Sequence, residues 1–145
     1  MTDGAFDERI DVRTYIDWKT KASLLKASFP VSFEAEKAVY DLGIANISRG
    51  NNTEIAYETY GHQWADITAD DGSYGLTIMN DCKYGWDKPS DNTIRLTLLH
   101  TPSTAGGYSY QSRQDFGKHV FTYSIVGHDG DYRKGDVTRK AEVLN

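Results

Sequence analysis

Hydrophobic and polar residues alternate with a period of two along much of the chain, the pattern of strands that bury one face. Ile10, Val12, Thr14 and Ile16 point one way and Asp11, Arg13, Tyr15 and Asp17 the other, which predicts a strand over residues 9–17. Residues 18–29 fit either a turn of helix, with Trp18, Leu25 and Phe29 on one face, or a second strand; the flanking strands favour strand. Val31, Phe33 and Ala35 alternate with Ser32 and Glu34, and a further short strand covers 38–44. Residues 48–53 read as a polar loop. Ile55, Tyr57 and Thr59 then resume the alternation, and 61–66 form a strand that ends in a turn. Asp70, Asp71, Gly72 and Ser73 are a hairpin signal. Tyr74, Leu76 and Ile78 alternate with Gly75, Thr77 and Met79 in the strand that follows.

That strand breaks into a loop, Asn80 to Asp87, with more chemistry than a turn needs: an amide, two acids, a thiol, an ammonium and two aromatic rings. Residues 88–92 turn, and 93–99 form a strand with Ile94, Leu96 and Leu98 on one side. The Ser-, Gly- and Thr-rich stretch 101–114 has no period and reads as a mobile loop. A strand over 119–126, a turn over 127–135 and a last alternation over 137–143 complete the chain.

Roughly eight to ten short strands separated by turn signals predict an all-β fold, a two-layer antiparallel β-sandwich in one domain. Composition agrees: 10 Tyr, 3 Trp and 5 Phe suit pleated surfaces, and 13 Gly suit turns. A net charge of −5 argues against a nucleic-acid surface. No apolar run approaches the roughly 20 residues of a membrane helix. Met1 to Arg9 has neither a basic start nor an apolar core, so the segment carries no signal peptide, which favours the cytoplasm. The single cysteine, Cys82, rules out an internal disulfide framework.

Candidate chemistry is sparse. His62, His100, His119 and His128 lack the close spacing of a metal site. Asp129-Gly-Asp131 begins like a calcium loop, but Arg133 and Lys134 stand where an acid and a glycine are needed. Lys83 beside Cys82 is positioned to lower a thiol pKa, whereas most lone cysteines are small buried hydrophobes. The acid pairs Asp70/Asp71 and Asp81/Asp87 sit in turns, where aspartate is favoured for local hydrogen bonding alone. Trp18, Trp64 and Trp86 either stack on sugar rings or fill the sandwich core. Catalytic residues and metal ligands are expected to be absent from this chain.

Several strings resemble a known family. They are Ile16-Asp-Trp-Lys19, residues 24–30, His62-Gln-Trp-Ala-Asp66, residues 74–85, residues 92–102, residues 119–123 and the closing Ala-Glu-Val-Leu-Asn145. In order, and over nearly the whole chain, they resemble the C-terminal β region of α-mannosidases of glycoside hydrolase family 38, the bacterial and cytosolic or vacuolar type. Departures cluster at 48–53 and 101–114. The resemblance implies a galactose mutarotase-like supersandwich, cut from a larger retaining enzyme. It also implies a separate catalytic domain that holds the nucleophile, the acid/base and a divalent metal, zinc. That domain is then the expected partner, with an α-mannoside as possible ligand. The substrate-cleft or interface candidates are Asn80, Asp81, Lys83, Tyr84 and Trp86, and the competing role for Asn80, Asp81 and Lys83 is to tie the loop internally or hold the domain interface. Two further readings are a free-standing carbohydrate-binding module and a purely structural domain. The structural domain would carry an exposed apolar patch and be prone to homo-oligomerise.

Overall fold

A computed structural model describes residues 9–145. Residues 1–8, which bear on the reading of a leader, lie outside the described residues. Among the described residues, ten strands form two antiparallel sheets. The larger contains β1 (Arg9–Trp18), β3 (Ala38–Asp41), β4 (Asn46–Arg49), β6 (Trp64–Thr68), β7 (Tyr74–Asn80) and β10 (Gly117–Asp129), in the order β1-β10-β7-β6-β3-β4. The smaller contains β2 (Ser23–Pro30), β5 (Thr59–Tyr60), β8 (Gly85–Ser90) and β9 (Thr93–Thr101), in the order β2-β9-β8-β5. The expected all-β sandwich is the observed fold.

The main core lies between the sheets and is built from one side of each strand. Ala65, Ile67, Ile78 and Phe121 of the larger sheet meet Phe29, Trp86, Ile94 and Leu96 of the smaller. A second cluster sits on the outer face of the larger sheet: Trp64, Met79 and Val126 are covered by Tyr132 and by Val137 and Ala141 of a helix, α1 (Val137–Leu144). β6 and β7 are therefore buried on both faces, which is why Trp64, Ala65, Asp66 and Ile67 are all buried in succession.

Five expectations are corrected. Residues 137–143 form a helix, because Val137, Ala141 and Leu144 recur at helical spacing and it is this set that packs on the sheet. Residues 31–35 are not a strand, because the chain is crossing from one sheet to the other there. Its backbone is satisfied by Asn92 O and Asp91 O, to which Val31 and Ala35 donate. Of the 55–59 alternation only Thr59 pairs, in the two-residue β5; Ile55 is fully exposed on a loop pinned by reciprocal bonds between Thr53 and Ala56. The stretch 101–114 contains a 3-10 helix, Gly106–Arg113. The loop after β7 is short, since β8 begins at Gly85 and absorbs Trp86 and Asp87.

Candidate functional site

The turn between β7 and β8 is organised by Asn80, which is buried at the end of β7. Its Oδ1 accepts the backbone N–H groups of Cys82 (3.1 Å) and Lys83, and its Nδ2 donates to the carbonyls of His62 (3.2 Å) and Gln63 (3.3 Å). All of its bonding capacity is spent inside the protein, so Asn80 shapes the turn. Asp81 leans the other way: its Oδ2 accepts Thr122 N–H at 2.9 Å, tying the turn to β10. Lys83 Nζ lies 4.3 Å from the centre of the Phe121 ring, a cation–π distance. Cys82 is exposed, but burial of the sulfur and the neighbouring Asp81 push its thiol up to about 11. Lys83 works in the opposite direction and loses, so the thiol is protonated at neutral pH and is no nucleophile.

Tyr84 is exposed at the tip and stacks on two other rings. His62 lies 5.5 Å away with the ring planes 12° apart, and Tyr60 lies 6.3 Å away at 24°. The turn thus presents an aromatic ledge beside Asp81 and Lys83. Trp86 does not belong to it. It is fully buried, edge-on to Tyr40, with Nε1 donating to Gly61 O at 3.3 Å. Its place as a surface stacking residue is corrected by the strand pairing: opposite Thr59 and Leu96, its side chain points into the core. Trp64 is buried as well, and half-buried Trp18 donates to Thr101 Oγ1 at 2.8 Å. Two of the three tryptophans fill cores.

Two polar clusters were not legible beforehand. On the outer face of the smaller sheet, Asp87 is a fully buried hub. Its oxygens accept from Lys26 Nζ (2.6 Å), Asn52 Nδ2 (2.8 Å), Arg95 Nε (2.9 Å) and Arg95 Nη2. Burial pushes the Asp87 carboxyl up, but the bonds from Arg95, Lys26 and Asn52 outweigh it and hold the group below the usual carboxylate range. Glu58, which accepts from Lys26 and Thr97, is held down in the same way against its own partial burial. On the outer face of the larger sheet, His128 Nε2 lies 2.6 Å from Asp66 Oδ2, and Thr77 Oγ1 donates to that oxygen at 2.6 Å. The His128 ring is clasped between Gly75 and Gly135, where an added Cβ would come within 2.6 Å and 2.7 Å of it. Burial works against the imidazolium, but the bond to Asp66 and its charge outweigh that and raise the His128 pKa.

Beside these clusters, the open edge of the sandwich holds a cavity of about 520 Å³ between β4 and β5, lined by Arg49, Asn51, Asn52, Tyr57, Glu58 and Tyr60 among others. Among the described residues, no three His, Cys, Asp or Glu side chains are grouped so as to hold a metal ion. No helix of the described residues is long and apolar enough to cross a membrane.

These features define an all-β sandwich module whose polar side chains are spent mostly on its own architecture. Residues 5–106 match the family model for the glycosyl hydrolases family 38 C-terminal domain, and the chain belongs to that family. It is 31% identical over 137 residues to alpha-mannosidase 2C1 of Mus musculus and 32% identical over 142 residues to alpha-mannosidase G of Dictyostelium discoideum. It is also 32% identical over 143 residues to an alpha-mannosidase of Saccharomyces cerevisiae. These alignments take in 91–94% of this chain but only 12% of each relative, so the chain spans about an eighth of their length. The fold is shared with the crystal structure of an alpha-mannosidase from Enterococcus faecalis V583, with a TM-score of 0.81 over 95% of this chain and 16% of that one, at 18% identity.

Proposed function

We propose that this chain is the non-catalytic β-sandwich of a retaining α-mannosidase that removes terminal α-mannosyl residues. It docks on the catalytic domain of the same polypeptide, and the turn after β7 helps to wall the substrate cleft. The observation that carries this reading is the match to the family 38 C-terminal domain, together with relatives named as α-mannosidases across 91–94% of the chain. The nucleophile, the acid/base and the divalent metal, zinc, belong in this reading to the catalytic domain, which supplies the two-carboxylate chemistry. Asp81, Lys83 and Tyr84 are the residues offered to the cleft, since their outward groups are exposed or lightly committed. Asn80 holds the turn that presents them.

In a polypeptide that joins this chain to its catalytic domain, Lys83→Met and Asp81→Asn should each lower kcat/KM on an aryl α-mannoside by roughly tenfold, with unchanged thermal unfolding. The isolated chain should show no turnover. Clear turnover by the isolated chain, or full activity in both variants, would count against the proposal. A second reading, a carbohydrate-binding module, is favoured by the exposed stack of Tyr60, Tyr84 and His62. It predicts that soluble mannobiose perturbs residues 81–84 in the isolated chain.

A further inference from the structure

The cavity between β4 and β5 uses none of the residues assigned to the cleft. We propose that it is a separate binding site for a neutral polyhydroxylated ligand, one sugar unit of a glycan, gripped between Arg49 and Glu58 against Tyr57 and Tyr60. The inference does not depend on whether the 81–84 turn reaches a catalytic cleft.

Its size, about 520 Å³, lies within the ordinary range for small-molecule sites. Part of its lining is held in place by bonds among its own polar groups. Fully buried Lys88 donates to Asn51 Oδ1 (2.6 Å) and Ser90 O (2.8 Å). Asn52 is fixed between Asp87 and the Lys88 backbone N–H, to which its Oδ1 is 2.8 Å. Tyr57 accepts from Arg95 at 3.0 Å. A site that is already held in shape loses little entropy on binding.

What remains uncommitted sets the ligand chemistry. Arg49 makes one long bond, to Tyr60 O at 3.3 Å, and has no carboxylate partner among the described residues. Glu58 spends only Oε1, on Lys26 and Thr97, and leaves Oε2 without a donor among the described residues. The Tyr60 side chain is half exposed at the rim. A guanidinium with spare donors and a carboxylate with a spare acceptor in one cavity suit hydroxyl groups, which both donate and accept. An anion would meet the ionised Glu58, and a cation would meet Arg49 and Lys88. The tyrosine faces suit the C–H face of a sugar ring. Because Tyr60 also stacks on Tyr84, a longer glycan has a continuous aromatic path from the cavity onto the ledge.

The test is a titration of the 145-residue chain, isotope-labelled and followed by its amide resonances, with methyl α-mannoside, α-linked mannobiose and, as a charged probe, inorganic phosphate. Sugars should shift residues 49–60 with saturation in the low-millimolar range, and phosphate should not. Arg49→Met and Glu58→Gln should each weaken binding by roughly tenfold with the dispersed spectrum intact, while Lys118→Met, at an exposed position of β10 far from β4, leaves the binding unchanged. Should either variant lose its fold, Tyr60→Ser, which removes a half-exposed ring and with it the face offered to the sugar, takes its place and should weaken the same response severalfold. The proposal is overturned by no shift at 49–60, by shifts confined to 81–84 and His62, or by a stronger response to phosphate than to sugar.

Discussion

Asn80 shows how one side chain converts a strand end into a defined turn. Two backbone donors converge on its carbonyl oxygen, and its amide nitrogen reaches back to two carbonyls of the segment entering β6. Alanine at this position removes the shared acceptor of the Cys82 and Lys83 N–H groups and the side-chain donor to the His62 carbonyl, all part-buried, so Asn80→Ala should cost about 2–3 kcal/mol, measured by urea unfolding. Asp81→Asn keeps an acceptor at the same place and should cost far less. This difference separates the residue that builds the turn from those that the turn displays. The sequence marks both only as polar residues in a loop. Burial tells them apart: Asn80 is enclosed, while Asp81 and Tyr84 face outward.

At the level of elements, the C-terminal helix is the instructive case. Val137, Arg139, Ala141 and Val143 can be read as alternation, but the arginine breaks the apolar set. Val137, Ala141 and Leu144 make the better helical stripe, and Val143 is left exposed. The second cluster depends on this stripe, because it closes over Trp64 and Met79. Ala141→Asp, which places a charge against that cluster, should release the helix and red-shift the Trp64 fluorescence. The inner core should survive, so strand circular dichroism at low temperature should change little. The β8 strand teaches the complementary lesson. Trp86 and Asp87 read as loop chemistry because an aromatic and an acid follow a glycine, yet pairing with β9 sends Trp86 into the core and Asp87 into an ion cluster outside it.

On the scale of the whole molecule, each sheet carries a buried polar cluster on its outer face, and each makes stability depend on pH. His128 has a folded pKa above its ordinary 6.5, so its contribution is fully present below that value and is lost as pH rises through the folded pKa. Asp87 has a folded pKa below its ordinary 3.8, so its contribution is present above that value and is lost as pH falls through the folded pKa. Thermal unfolding should therefore give a higher Tm at pH 6 than at pH 8, and His128→Asn should flatten that limb while leaving the acid limb in place. A wild-type Tm that rises from pH 6 to pH 8 would contradict the assignment of His128. The same scale holds the cavity, which exists only because β4 and β5, the last strands of the two sheets, face each other across the open edge.

The residues alone carry the strand period, the turn chemistry at 70–73 and hence the sandwich class, because alternation and turn preference are local properties of the backbone. The family resemblance was likewise legible in continuous strings such as residues 74–85. Other features required tertiary structure, because they depend on which strands lie side by side. Pairing decided that Trp86 is core and Asp87 a hub, and that Lys26, Glu58 and Arg95, distant in the chain, share one ion cluster. It also set Arg49 and Glu58 around one cavity. Burial and long-range pairing follow from the sum of all contacts, and no single stretch of the chain encodes them.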